Sequence, residues 1–366
     1  MRIEVEKEQL LKTLEYVSRI SSKHQTLPVL ACVLLEAGDA SVTVRATNLE
    51  LGLEARLSAT VSESGTCAVP AALLAQTIGL LYEKSVVLRT EGEVLVVEAG
   101  KSHTTIKTLS PEEFPRITRL TGRAQKLHGD LFALGIKTAA FATSQSSIKP
   151  ELGSVLIHQQ KEHTLTFVAT DAFRLVEKVV PQRAVTLEDS VLIPQRNALE
   201  IARICELVGS DPEFIVSENQ LALVFENGVY VTTRLTEAAF PDYQQIIPKE
   251  FATTVTVLRG DLIHALKKTN IFTNAYLQVR VRIDAAAKTI AFAADNGEVG
   301  KTDEAVAAKI EGEDLALSFN QRYLSDPLAS FVDDSVILRF TGVGRPMVME
   351  GVTEKSLRYL VMPMNR

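Results

Sequence analysis

The decapeptide at residues 167–176, Phe-Val-Ala-Thr-Asp-Ala-Phe-Arg-Leu-Val, has a counterpart on either side of it in the chain. Upstream stands Val-Thr-Val-Arg-Ala-Thr-Asn-Leu-Glu-Leu at 42–51, and downstream Thr-Ile-Ala-Phe-Ala-Ala-Asp-Asn-Gly-Glu at 289–298. Each is an alternating run that reaches a small residue and then Asp or Asn, after which a second run begins. That pattern predicts strand, tight turn, strand. Asn48 and Asp171 are 123 residues apart and Asp171 and Asp295 are 124 apart, close to one third of the 366 residues.

The flanks keep the same order. Val69-Pro70 precedes Ala-Ala-Leu-Leu-Ala-Gln-Thr-Ile, Ile193-Pro194 precedes Gln-Arg-Asn-Ala-Leu-Glu-Ile-Ala, and Phe319-Asn320 with Leu324 and Leu328 stands in the third place. Phe114-Pro115 recurs as Phe240-Pro241. The spacing lies far above the roughly 20 to 50 residues of solenoid repeats. It predicts three copies of one domain-sized unit, over residues 1–124, 125–251 and 252–366.

Within a copy the periodicities predict β, α, β-meander, α, β-meander, an α+β fold with two helices on one face of a mostly antiparallel sheet. The first copy opens with a strand over 2–5 and a helix carrying Leu10, Leu11, Leu14, Val17 and Ile20. The second has a helix from Asp130 through Leu131, Leu134, Ile136 and Ala140, and another starting at Pro194. Pro70 is placed in the first turn of its helix, where a missing N–H costs nothing. In the third copy Pro327 lies seven residues past Asn320, which predicts a kinked, restarted or shortened helix.

Composition then limits function. With 46% hydrophobic and 23% charged residues the chain can bury two or three cores. There is no run of about 18 apolar residues, and the charged start Met-Arg-Ile-Glu-Val-Glu is unlike a signal sequence, so a cytoplasmic protein with no membrane partner is expected. Cys32, Cys67 and Cys205 have no CxxC spacing and the six histidines form no HxH or HxxxH pair. No disulfide, metal or cofactor is expected. P-loop, GxSxG, HExxH and dinucleotide-binding motifs are missing, Gly342-Val-Gly344 is too short to serve, and Asp171 and Asp295 read as turn formers rather than paired acids. The chain is therefore expected not to be an enzyme.

A net charge of −6 argues against a simple basic nucleic-acid binder. Yet Lys12, Arg19, Lys137, Arg196, Arg203, Lys267 and Lys268 fall on the predicted helices, whereas Glu50, Glu54, Glu91, Glu93, Glu298, Asp303 and Glu304 fall mainly in strands and turns. Three similar domains joined by similar linkers would describe an arc, and head-to-tail contacts between copies close into a ring or run on as a fibre. Helices inside such a ring would give a basic bore and an acidic rim. A repeat scaffold that binds peptides without encircling DNA is the alternative.

Thr47-Asn-Leu-Glu50, Thr170-Asp-Ala-Phe-Arg-Leu175, Phe240-Pro-Asp-Tyr243, Asn296-Gly-Glu298 and Val361-Met-Pro-Met364, in this order and spacing, resemble the bacterial DNA polymerase III β subunit family of replicative sliding clamps over the whole chain. The resemblance implies the DNA clamp fold, each chain forming half of a closed ring. It implies a head-to-tail homodimer that encircles double-stranded DNA without reading sequence and acts as a processivity factor. It also implies a peptide cleft for the polymerase III α subunit, the clamp loader and other proteins carrying clamp-binding motifs. Carried over residue by residue, the cleft comprises Leu152, Thr170, Phe173, Arg174, Leu175, Pro241, Gln245, Ile246, Pro346, Leu360, Met362, Pro363 and Met364. His24 and Lys149 join the helical cations as DNA-facing, and Thr104 and Ile106 meet Ile271 and Phe272 of a second copy at the dimer contact. The chain departs from the family in having Phe173 where His is frequent, Gln245 where some members have Arg, and His24 at a place that is often Arg.

Overall fold

A computed structural model describes residues 1–21, 26–146 and 148–364. The first copy runs β1 (Arg2–Glu6), α1 (Lys7–Val17), β2 (Cys32–Gly38), β3 (Ser41–Thr47), β4 (Leu51–Ser58), β5 (Thr60–Glu63), β6 (Gly65–Pro70), α2 (Ala71–Gly79), β7 (Ser85–Glu91), β8 (Val94–Ala99) and β9 (Ser102–Lys107). The second repeats this, without a counterpart of β5, as β10 (Gln125–Lys126), α3 (Gly129–Ala140), β11 (Ser154–His158), β12 (Thr164–Thr170), β13 (Arg174–Pro181), β14 (Val191–Pro194), α4 (Gln195–Val208), β15 (Glu213–Val216), β16 (Gln220–Val224) and β17 (Tyr230–Arg234). The third does so as β18 (Thr253–Leu258), α5 (Arg259–Ile271), β19 (Gln278–Asp284), β20 (Thr289–Asn296), β21 (Gly300–Glu311), β22 (Leu315–Asn320), α6 (Gln321–Ser325), β23 (Ser335–Phe340), β24 (Met347–Gly351) and β25 (Leu357–Val361).

Two compact units result. One comprises Met1–Ala133, Gln182–Thr186 and Arg196–Leu235, the other Leu134–Pro181, Leu187–Gln195 and Thr236–Arg366. The first unit holds a five-stranded sheet, β5-β1-β7-β8-β9, and an eight-stranded one, β10-β15-β16-β17-β4-β3-β2-β6. The second holds a twelve-stranded sheet, β14-β11-β12-β13-β25-β24-β23-β18-β21-β20-β19-β22. Every strand pairing is antiparallel, as the meanders require.

The copies superimpose row by row. Cys67, Leu35, Val44 and Ala55 lie side by side across four strands of the first. Val191, Ile157, Phe167 and Lys178 do so in the second, and Leu317, Val281, Phe292 and Glu304 in the third. The chain leaves each copy alike: Leu109 N–H donates to Ala68 O at 2.9 Å, Thr236 to Leu192 at 2.8 Å and Met364 to Ser318 at 2.7 Å.

The turns at Asn48 and Asp171 are built alike. Asn48 Oδ1 accepts from the N–H groups of Glu50 (3.0 Å) and Leu51 (2.7 Å), and Asp171 Oδ1 from Phe173 and Arg174 (3.0 Å each). Leu49 and Ala172 adopt φ of 77° and 76°, a strained conformation that these side-chain bonds hold in place. The third turn corrects the sequence alignment. Asp295 lies inside β20 opposite Lys301, and Asn296 accepts from Glu298 N–H at 3.1 Å across the connection of residues 297–299.

Further details shift with their causes. Pro70 and Pro194 end strands, and their helices begin one residue later. The predicted break at Pro327 is present: α6 ends at Ser325 and a 3₁₀ turn, Asp326–Ser330, restarts with Pro327 in its first turn. Leu134, assigned to an apolar helix face, is 47% exposed. Arg19 falls in the turn after α1 rather than on the helix. Glu54 is buried and so is no rim acid.

Candidate functional site

Two strand pairs join one copy to the next, and they share a register. In the first unit β4 pairs with β17, setting Gly52 opposite Thr232 and Glu54 opposite Tyr230. In the second, β13 pairs with β25, setting Leu175 opposite Leu360 and Glu177 opposite Arg358. Period 2 puts each of these pairs on the face away from the rows above.

At the β13–β25 joint the Leu175–Leu360 part of that face is apolar. Leu175 and Leu360 cluster with Leu156, Val168, Leu192, Tyr243 and Val348, and Phe240, Ile247 and Phe251 pack against them. Phe173 (61% exposed), Ile246 (54%) and Met362 (40%) leave large apolar side chains in solvent. Met362 N–H donates to Phe173 O at 2.8 Å, tying two of them together. Pro241 and Gln245 are exposed, with Gln245 donating to Asp242 at 2.6 Å, and Pro363 is half-buried. Leu175 and Leu360 are thus floor, 1% and 3% exposed. Leu152, Pro346 and Met364 are not members of the cluster. The Leu152 backbone instead accepts from Ser144 N–H at 2.8 Å and donates to Lys149 O at 3.0 Å, and Met364 docks on β22.

Tyr243 escaped the sequence reading although it stands in the Phe-Pro-Asp-Tyr motif. Its ring is in the cluster, and its hydroxyl donates to Glu177 Oε2 at 2.7 Å. Gln160 Nε2 (2.8 Å) and His158 Nε2 (3.0 Å) reach the Tyr243 hydroxyl oxygen itself. Burial and the adjoining carboxylate push the phenol above its ordinary value. Burial also lowers the His158 imidazole, against the opposing pull of Glu177.

Arg174 needs correction from binding group to brace. Its Nε donates to Asp171 (3.0 Å), Nη1 to Asp326 (2.6 Å) and Nη2 to Phe141 O (2.8 Å). The guanidinium also lies 5.5 Å from the Phe141 ring centre and 4.5 Å from that of Tyr323. Burial works against its charge, but Asp326 and Asp171 outweigh it and hold its pKa above the ordinary value. Thr170 Oγ1, also buried, donates to Arg174 O at 2.6 Å and accepts from Ala172 N–H at 3.2 Å. Both residues therefore rigidify the turn that presents Phe173.

Of the cations assigned to DNA, Lys12, Arg19, Lys137, Lys149, Arg196 and Lys267 are exposed. Lys268 is exposed but paired with Glu304 at 3.0 Å. Arg203 is committed elsewhere: Nε donates to Glu200 at 2.8 Å, and Nη1 and Nη2 to the carbonyls of Glu15 and Tyr16 at 3.2 Å each. Those carbonyls end α1, so Arg203 caps a neighbouring helix. His24 lies outside the described residues.

At the assigned dimer contact, Thr104 is half-buried on β9, the end of its sheet, and Ile271 is 65% exposed. Ile106 is 2% exposed and belongs to the core of its own unit. Phe272 is half-buried with its ring beside the start of β21, 3.5 Å from where a Cβ on Gly300 would lie.

Among the described residues no group of three or more His, Cys, Asp or Glu side chains is placed to hold a metal, and no helix is long and apolar enough to cross a membrane. Three family models match in tandem: the DNA polymerase III beta subunit N-terminal domain at residues 1–118, the central domain at 126–242 and the C-terminal domain at 244–365. A curated relative from Synechococcus elongatus, a beta sliding clamp, is 30% identical over 371 residues, 99% of each chain. The beta sliding clamp of Pseudomonas putida is 28% identical over the full length of both. Among solved structures, a DNA polymerase sliding clamp from Pseudomonas aeruginosa superimposes with a TM-score of 0.92 at 26% identity over all of both chains. The DNA polymerase III beta subunit of Thermotoga maritima does so at 0.94 and 24%, covering 100% of this chain and 99% of that one.

Proposed function

The chain belongs to the DNA polymerase III beta subunit family, and we propose that it acts as a sliding clamp, two copies closing head to tail around duplex DNA to keep the replicative polymerase on its template. The clamp does no chemistry. It is a processivity subunit whose three domains span residues 1–124, 125–251 and 252–366, working in the cytoplasm on the nucleoid.

The observation that carries the closure is the shared register of the two joints. The same two halves recur once more without a mate: β9 ends its sheet, and along residues 300–307 the edge of β21 away from β20 is joined to no strand among the described residues. Unpaired edges invite a second chain. Continuing the register sets Asp303 opposite His103 of a second copy, and Gly300 opposite its Ile106. Phe272, beside Gly300, becomes the apolar anchor of that contact. Head-to-tail joints that close make a ring, and closure removes both edges.

A threaded ring does not need tight binding to stay on DNA. Lys12, Arg19, Lys137, Lys149, Arg196 and Lys267 supply mobile phosphate contacts that guide sliding without base readout. The apolar cleft at the β13–β25 joint takes the leucine and aromatic anchors of short peptide motifs from the polymerase α subunit, the clamp loader and other partners. Met362 adapts to differing side chains. Tethering raises the polymerase's effective concentration at its template.

The test is retention on DNA. Clamp placed on a nicked circle by a clamp loader should persist there and be lost when the circle is cut once; equal retention on both forms would defeat the ring. Phe272→Asp should halve the mass seen by light scattering, and an unchanged mass would remove the proposed contact.

A further inference from the structure

The segments that follow the first and second copies differ in charge. Residues 114–126 carry Arg116, Arg119, Arg123 and Lys126 and no acid, whereas residues 240–252 carry Asp242, Lys249 and Glu250. In a chain of net charge −6 the first of these is a concentrated basic run.

Its middle lies on the β4–β17 joint. Ile117 packs over Gly52, its Cγ2 3.1 Å from where a Cβ on that glycine would sit. Arg119 Nη2 donates to Glu54 at 3.1 Å, and its guanidinium lies 5.1 Å from the centre of the Tyr230 ring. Beside it opens a recess of about 510 Å³, with Ile117, Val224 and Tyr230 as apolar lining and Arg45, Arg56 and Arg119 as its cations. That volume falls in the range of ligand sites, roughly 300 to 1,000 Å³. The one carboxylate in its wall, Glu54, has a side chain only 8% exposed and is shared between Arg119 and Arg45, whose Nε stands 3.5 Å away. Arg45 also pairs with Glu36. Arg56 donates through Nε to Ser41 at 2.9 Å and has no carboxylate in ion-pair contact among the described residues.

We propose that this recess is a docking site for an extended acidic segment of a protein partner, with one apolar side chain laid on the half-buried Ile117 and Val224 above the buried Tyr230 ring, and flanking carboxylates on Arg56 and Arg119. Guanidinium groups bind carboxylates in a planar, two-bonded fork, and Arg is among the residue types that dominate interface energetics. A polyphosphate strand fits less well, because Glu36 and Glu54 interrupt the cations and the floor between them is apolar. The site is separate from the apolar cleft and stands whether or not the ring closes as proposed above.

Fluorescence anisotropy on the full chain tests it, with a labelled acetyl-Glu-Asp-Leu-Leu-Asp-Glu peptide as probe. The acidic peptide should bind at least tenfold tighter than its Gln/Asn analogue. Arg56→Glu should weaken it at least tenfold with an unchanged circular dichroism spectrum, and Arg119→Gln, a milder change, should weaken it severalfold. Equal binding of the analogue, or undiminished binding by both variants, would overturn the site. Displacement of the peptide by oligothymidine, with the same loss on Arg56→Glu, would reassign the recess to nucleic acid and overturn it equally.

Discussion

The β4–β17 and β13–β25 joints use one hydrogen-bonded register for two different surfaces. At the first, the outer pair is Gly52 opposite Thr232, and the chain's own Ile117 fills the space. At the second it is Leu175 opposite Leu360, and larger side chains build an apolar floor beneath a rim left open to solvent. Even the acid next in line is handled alike: Glu54 receives Arg119, and Glu177 receives the hydroxyl of Tyr243 and, at 3.3 Å, Arg358. Backbone pairing fixes where a surface forms, and two side chains on it decide what the surface accepts.

Exchanging side chains between the joints is the most severe way to probe that contrast. Leu360→Ala should cost about 2 to 5 kcal/mol in urea unfolding, because a floor leucine at 3% exposure leaves a cavity. A cost near zero would mean the floor is not packed. Arg174→Met should cost about 3 kcal/mol, since it strands Asp171 and Asp326. The same variant should weaken peptide binding by loosening the turn that carries Phe173, and intact affinity would break that link. At the first joint Thr232→Val should stabilise by up to about 1 kcal/mol, because the Thr232 hydroxyl is buried without a hydrogen-bond partner. A loss instead would expose a bond the contrast overlooks.

The smallest effect is that of pH. Burial lowers His158 below its unfolded value of about 6.5, so the folded state prefers the neutral ring. Its contribution is complete above that value and is lost as pH falls toward the folded pKa. Nuclear magnetic resonance should find His158 titrating below 6.5, and a midpoint at or above that value would contradict the burial.

Much of this was legible in the chain. The repeat, the turns at Asn48 and Asp171 and the break at Pro327 come from local chemistry that the sequence carries openly. The third turn misled because Asp295 and Asn296 are adjacent and both suit a turn; the choice rests on the register of β20 against β21. Leu175 and Leu360 were assigned to the cleft, but residues 175–178 are buried on both faces, so alternation could not separate floor from core. Arg174 and Arg203 were misjudged for a common reason. Polarity says that a guanidinium seeks acceptors, while only the fold shows that those acceptors are Asp326 and the carbonyls ending α1.

Because Arg174 donates from each of its three guanidinium nitrogens to the protein itself and is flanked by Asp171 and Asp326, the apolar cleft offers a visitor almost no net charge. Its grip should barely change with ionic strength, whereas cations gathered along residues 114–126 are screened within roughly 8 Å in physiological salt. Raising salt would then sort the visitors of the two joints, stripping one class and leaving the other in place.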